Sequence, residues 1–415
     1  CRFLVMATGN LTEPRDPNIP GIGKFKGRVL KTSRWPEEPV ELAGRRIGVI
    51  GTGSSCVQVI PVLAEQAAHV YVYQRTAHYA VPAQNRILDY EVFDHVEDRR
   101  TLLGAIENAQ AGDTLTPALG RSRPAADYTR EGQLERLEMF WQTGGQNLLM
   151  VFSDQAYNEA SAEVVSEFVR QKIRQIVKNP AVAEKLCPKY PLGPKRIANE
   201  IGYYESYNRD NVTLVDIKED PIVEVTENGI RTTRSFHELD LIVLGLGFKA
   251  FTGAIDNADI RNERGETPTS GWTRGPRTLI GLMTPGFPNL FLLTGPGSPS
   301  VAGNLYQLNE FHVEWINDCM KYMAAHGYST IEPTAAAADR WSDHVASLGA
   351  KSLRTKYANY MVHVNPDGTR LTIPYRGSMN TYYKEATEVA ESGYEGCIFG
   401  PAAAGGSVAD APATF

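Results

Sequence analysis

One short stretch constrains this chain more than any other. Arg45-Arg-Ile-Gly-Val-Ile-Gly51 is an apolar run ending on glycine, and it is followed directly by Thr52-Gly53-Ser54-Ser55-Cys56. Helical spacing then continues to about Gln66, and a second strand pattern follows at His69-Val-Tyr-Val-Tyr-Gln-Arg75. A strand, a glycine turn, a helix and a further strand within about 30 residues form a β-α-β unit. Gly51 and Gly53 let the backbone turn sharply and approach a pyrophosphate, while the helix N-terminus offers N–H groups and positive potential. The third position of such a loop is normally Gly or Ala; Cys56 is small but not the smallest. Pro61 lies inside the expected helix and should kink it.

The next signal is the end of the second strand. An acidic residue there would bind the ribose hydroxyls of NAD, but this chain has Arg75 followed by Thr76, which suits a 2′-phosphate and so NADP. Pro194-Lys195-Arg196 adds two adjacent cations about 120 residues later. They read either as solvated surface charge or as a functional pair, one cation on a phosphate and the other facing a developing anion. Two strand endings on glycine, Val5-Met-Ala-Thr-Gly9 and Val243-Leu-Gly-Leu-Gly247, either let the chain pass close to a cofactor or simply end strands.

The remaining composition narrows the class. At 415 residues the chain has room for two or three domains. A formal net charge of −6 argues against a general nucleic-acid binder. The most apolar run, Asp240 to Phe248, is strand-sized and far below the roughly 18 residues a membrane span needs. Five scattered cysteines without a C-x-x-C pair fit a reducing compartment, so the expected location is cytoplasmic, with no signal peptide. The eight histidines have no metal-ligand spacing, so no metal is expected. Ser33, Ser54, Ser55, Ser298 and Ser300 lack a nucleophile elbow. Phe311, Trp315 and Tyr322 fall at helical spacing and read as core.

Along the chain, Leu11 to Gly23 reads as a Pro- and Gly-rich linker, and Ala83 to Lys189 as a helical insertion. Strands are expected at 211–215, 222–225, 239–244 and 289–294. A long helix is expected from about Leu308 to Ala325, and a mobile tail over the last fifteen residues.

Several further segments together resemble the Baeyer–Villiger monooxygenases. Phe25-Lys-Gly27-Arg-Val-Leu-Lys31-Thr-Ser-Arg-Trp35-Pro36 is similar to the family's F-x-G-x-x-x-H-x-x-x-W fingerprint. Gly51-Thr-Gly-Ser-Ser, Tyr73-Gln-Arg-Thr76, Tyr190-Pro-Leu-Gly-Pro-Lys-Arg196, Gly286-Phe-Pro-Asn-Leu-Phe291 and Gly295-Pro-Gly-Ser-Pro-Ser300 support the likeness, which runs from Cys1 to about Gly400. The resemblance implies an α/β fold of two dinucleotide-binding, Rossmann-like domains, the FAD domain being interrupted by the NADP domain, with a helical insertion. The implied divisions are an FAD-domain remnant at 1–10 and a linker with the fingerprint at 11–40. The NADP domain would take 41–83 and 190–244 around an insertion at 84–189. The C-terminal part of the FAD domain would take 245–400, and a disordered tail 401–415.

The resemblance also implies function. FAD, NADPH and O2 would insert an oxygen atom beside a small-molecule ketone, with no nucleic-acid or membrane partner. Thr52 to Gln58, including Ser54, Ser55, Cys56 and Val57, would hold the NADP pyrophosphate. Arg75, Thr76 and Lys195 would hold the 2′-phosphate, and Arg196 would be the catalytic arginine beside the flavin. Ser300 to Leu305 would border the flavin and the ketone pocket, and Asn359 or Tyr360 would stand where the family has a Trp near the NADP ribose. Lys31 replaces the fingerprint His. The family's N-terminal strand and Gly-rich FAD loop are not in the chain, so it reads as N-terminally truncated. Two other readings stay open: a flavin monooxygenase acting on amines or sulfides, and an inactive NADP-binding remnant. The particular ketone and the oligomeric state are not readable from the residues.

Overall fold

The structure is a computed structural model that describes residues 1–85, 87, 122–301 and 304–401. Outside the described residues lie 88–121 of the expected insertion, residues 302 and 303 of the expected flavin border, and the tail after Pro401. In chain order the first elements are β1 (Leu4–Met6), β2 (Arg28–Lys31), β3 (Arg46–Ile50), α1 (Ser54–Gln66), β4 (His69–Gln74) and β5 (Ala80–Pro82). Three helices of the insertion follow, α2 (Arg130–Thr143), α3 (Glu159–Ile176) and α4 (Pro180–Leu186), and then β6 (Ala198–Glu200) and α5 (Tyr203–Ser206). The chain continues through β7 (Val212–Asp216), β8 (Ile222–Thr226), β9 (Gly229–Thr232), β10 (Phe236–Glu238), β11 (Leu241–Leu244) and α6 (Gly253–Asn257). The C-terminal part holds β12 (Leu290–Leu292), α7 (Leu305–Ala325), β13 (Tyr328–Pro333), α8 (Ala335–Ala350), β14 (Val362–Val364), β15 (Arg370–Thr372), α9 (Met379–Glu391) and β16 (Cys397–Pro401).

A five-stranded parallel sheet in the order β2-β11-β3-β4-β7 organises the half that carries the glycine loop. Parallel sheets are covered on both faces, which is why these strands read as nearly continuous apolar runs. Successive side chains point to opposite faces. Ile47, Val49, Val70, Val72, Leu241 and Val243 therefore join α1 and the insertion helices in one core. Ile50, Tyr73, Ile242 and Leu244 join Val225 and Ile230 of the antiparallel β8-β9-β10 sheet in another. Each such side chain, fully withdrawn from water, contributes about 1.5–3 kcal/mol. Arg46 fastens the N-terminal ends of β3 and β11: its Nη2 donates to Asp240 Oδ1 at 2.9 Å and its backbone N–H to Oδ2 at 2.8 Å.

Most of the expected elements are present with shifted ends. α1 runs unbroken past Pro61 to Gln66, and α7 starts at Leu305, three residues earlier than its spacing suggests, because Asn304 caps it through Tyr306 N–H. The hairpins β9-β10 and β14-β15 and the β5-β6 pair were not expected. β1 pairs in parallel with β12, and Met6 packs with Leu290, Leu292 and Trp272. The two segments joining this region to the half with the glycine loop run side by side. Arg15 N–H donates to Gly247 O, Lys249 N–H to Glu13 O, and Phe251 N–H to Asn10 O, at 2.8–3.0 Å.

Candidate functional site

The glycine loop sits where the sequence puts it, between β3 and α1. Gly51 has φ 117°, open to glycine, and a Cβ there would lie 2.5 Å from Gly245 O. Cys56 is tolerated at the third position because of its neighbour: a Cβ on Gly245 would overlap Cys56 Sγ, so the glycine supplies the space that the side chain takes. Burial pushes the Cys56 thiol up to about 12, which leaves it an inert packing group. Helices α2, α3, α4, α7, α8 and α9 all begin with a Thr, Asn or Ser side chain accepting a backbone N–H, whereas α1 begins at Gly53 with no side-chain cap. The first-turn N–H groups of Ser54, Ser55 and Cys56 are thus available to an anion. Ser54, Ser55 and Gln58 are exposed. Val57 is fully buried, and its N–H is used by Gly53 O at 2.9 Å, so with Cys56 it faces the core rather than the mouth of the loop.

Thr52 Oγ1 donates to Thr76 O at 3.0 Å, tying this loop to the end of β4. Arg75 is exposed there. Ile217 N–H donates to Gln74 O at 2.9 Å, which places Lys218, just past β7, at the same C-terminal edge of the sheet. Lys195 completes the group. Its ammonium lies 4.4 Å from the Tyr190 ring centroid, and Tyr190 Oη is 3.1 Å from His78 Nδ1. Burial pushes Lys195 below the ordinary lysine range, and the positive charges of Arg75 and Lys218 push it the same way. Burial, with Lys195 adding to it, also holds His78 down at about 4, so it is neutral. None of Arg75, Lys195 and Lys218 has a carboxylate partner among the described residues. Three mutually repelling cations beside an uncapped helix end can hold a phosphate.

Arg196 goes elsewhere. It is exposed, without an ion pair among the described residues, and its charge acts on Arg354. Arg354 donates from Nη1 to Met361 Sδ at 2.8 Å and from Nη2 to Gly193 O at 3.2 Å, while its Nε is buried with no partner. Burial pushes Arg354 down to about 9, with Arg376 and Arg196 adding to the effect. Burial lowers Arg376 too. Lys195 and Arg196 are adjacent in the chain, in the bend that precedes β6, with Lys195 half-buried and Arg196 exposed.

The remaining expected residues are more scattered. Leu305 is 42% exposed at the start of α7. Ser300 is buried with an unpartnered Oγ, three residues after Gly297 at φ 90°, an orphaned donor suited to a cofactor heteroatom. Asn359 spends its amide on the chain itself: Nδ2 donates to Arg354 O and Tyr357 O, and Oδ1 accepts from Met361 N–H. It shapes the turn that carries Arg354 and presents no free donor. Tyr360 stacks on Phe251 with centroids 6.4 Å apart. In the fingerprint, a Cβ on Gly27 would lie 2.5 Å from Asp240 O and 2.6 Å from the Phe25 ring. Lys31, at the end of β2, pairs with Asp16 at 3.0 Å.

The chain is similar to known proteins over nearly its whole length. The 2-oxo-Δ3-4,5,5-trimethylcyclopentenylacetyl-CoA monooxygenase of Pseudomonas putida is 38% identical over 408 residues, 95% of this chain and 74% of that protein. The cyclohexanone 1,2-monooxygenase of Acinetobacter sp. is 38% identical over 95% of this chain and 72% of its own. This chain belongs to the Baeyer–Villiger monooxygenases. The flavin-binding monooxygenase-like family model matches residues 3–94. A solved structure described as OTEMO in complex with FAD and NADP superposes with a TM-score of 0.90 at 38% identity, covering 96% of this chain and 76% of that one. Within this Baeyer–Villiger monooxygenase, sequence reasoning passed over Lys218, Arg354 and Arg376. Lys218 is a lone cation in a charged turn, and the two arginines are 22 positions apart with no motif around either.

Proposed function

We propose that this chain catalyses the NADPH- and FAD-dependent insertion of one oxygen atom of O2 beside a ketone carbonyl, giving an ester or lactone. The observation that carries the reading is the group of Arg75, Lys195 and Lys218 at the C-terminal edge of the sheet near the uncapped start of α1, with Arg196 next in the chain, exposed and without an ion pair among the described residues. The residues fit both cofactors. The uncapped α1 start and its adjoining cations suit the phosphates of NADP, and the orphaned Ser300 Oγ suits a flavin heteroatom. When bound, FAD and NADPH supply hydride transfer and oxygen activation.

The protein's part is position and field. Ser54, Ser55 and Cys56 hold the pyrophosphate through their backbone N–H groups; Arg75, Lys195 and Lys218 hold the 2′-phosphate. Arg196 would stabilise the negative charge that develops on oxygen as the carbonyl carbon is attacked. Tyr190, hydrogen-bonded to neutral His78, would seat the ammonium of Lys195 without competing for the phosphate.

The test is product analysis with the flavin-loaded enzyme, NADPH and a panel of cyclic and aryl ketones. Lactone or ester carrying one atom of labelled O2 is the expected result. NADPH oxidation without oxygenated product across the panel would overturn the reading.

A further inference from the structure

Arg354 and Arg376 are poorly matched to their surroundings. A guanidinium has five N–H donors and no acceptor, and withdrawing it from water without an anion is costly. Arg354 meets a thioether, a weak acceptor, and one carbonyl, and its Nε meets nothing. Arg376 follows β15 and has neither hydrogen bond nor ion pair among the described residues; its own surroundings include Tyr157 from the insertion. The β14-β15 hairpin brings them together: Ile373 N–H donates to Met361 O at 2.9 Å, so the segments leading to the two arginines run side by side. A third cation, Arg196, borders the pair. No carboxylate of the described residues answers any of the three.

The wall next to these cations is apolar. Phe251, Met361 and Ile373 form a small core, with Val301 and Tyr360 packed partly buried on its edge. Val301 follows the orphaned Ser300. An apolar surface beside half-buried cations that lack an anionic partner is complementary to a molecule with an apolar body and an anionic end.

We propose that the substrate of this enzyme carries, apart from its ketone, a carboxylate bound by Arg354 and Arg376, with its apolar body against Tyr360 and Val301. This rests on the function proposed above and names its substrate class: ring or branched oxo acids rather than neutral ketones. The phosphates of NADP have their own partners in Arg75, Lys195, Lys218 and the α1 N-terminus, which leaves this second group of cations without a phosphate from that source.

The decisive experiment compares two ketones of one skeleton, an oxo acid and its methyl ester, with the flavin-loaded enzyme at fixed NADPH. The acid is expected to be favoured at least about tenfold in kcat/KM, through KM. In Arg376→Gln and Arg354→Gln the acid-to-ester ratio is expected to fall to near one. A readout without turnover accompanies it: a cyclic carboxylate lacking the ketone should raise the melting temperature of the wild type and leave that of Arg376→Gln unmoved. An ester used as well as the acid by the wild type overturns the proposal, as does a ratio that survives both substitutions. Loss of NADP+ or FAD affinity in the variants with the ratio unchanged assigns the cations to a cofactor phosphate, and overturns it too. If the variants do not fold, the wild-type ratio and the carboxylate melting shift still decide. Failure of the underlying function looks different, because neither the acid nor the ester would then be oxygenated.

Discussion

Two groups of cations flank one short loop, and water treats them differently. Arg75 stands exposed at the end of β4, with Lys195 half-buried beside it. On the other side Arg354 has a buried, unpartnered Nε and a sulfur atom as one of its hydrogen-bond acceptors. Exposed charges are screened by salt and cost little to keep, whereas desolvated ones are expensive until an anion arrives and discriminate strongly once it does. On the readings proposed above, the first group would recognise the coenzyme and the second would tell one substrate from another.

The sharpest way to break this division is Arg196→Ala. Oxygen insertion is expected to fall by about 100-fold or more while flavin reduction by NADPH stays measurable, as followed by stopped-flow absorbance. Equal loss of both steps would place Arg196 with the coenzyme group instead. Arg75→Ala should weaken NADPH by about 10- to 100-fold and NADH hardly at all; steady-state KM values for the two coenzymes measure it, and equal weakening removes the 2′-phosphate assignment. Gly245→Ala forces a methyl onto Cys56 Sγ and should cost about 1–3 kcal/mol in urea unfolding. Cys56→Ala in the same chain should recover most of that, and no recovery would mean the loop is not held by this contact.

The smallest effect is a pH dependence. The Lys195 pKa is lowered in the free protein, and a bound phosphate favours the charged form and raises it. Affinity for NADP+ is therefore full below the lowered pKa and falls as the pH rises through it, earlier than an ordinary lysine would give. Lys195→Arg should flatten that fall, as read by titration calorimetry across the alkaline range.

The coenzyme side was legible in the sequence because its signals are local. A strand, Gly51, Gly53 and a helix lie between Arg46 and Gln66, and Arg75 follows at the end of the next strand. The edge strand β2 was not legible as part of the same sheet, because its pairing with β11 joins Arg28 to Leu241 across more than two hundred residues. Cys56 looked like a flaw until Gly245, on another strand's exit, was seen to make room for it. Arg354 and Arg376 gave no pattern at all, since a hairpin rather than a spacing brings them together. Asn359 drew attention by its place in the alignment of motifs, but its side chain serves the backbone of its own turn.

Lys195 and Arg196 share a peptide bond, so the loop that carries them has no slack between its two duties. On the roles proposed above, a shift of the backbone that seated the ammonium on a phosphate would carry the guanidinium along with it. If those roles hold, coenzyme docking and readiness for oxygen transfer would be one mechanical event, set by the position of one segment.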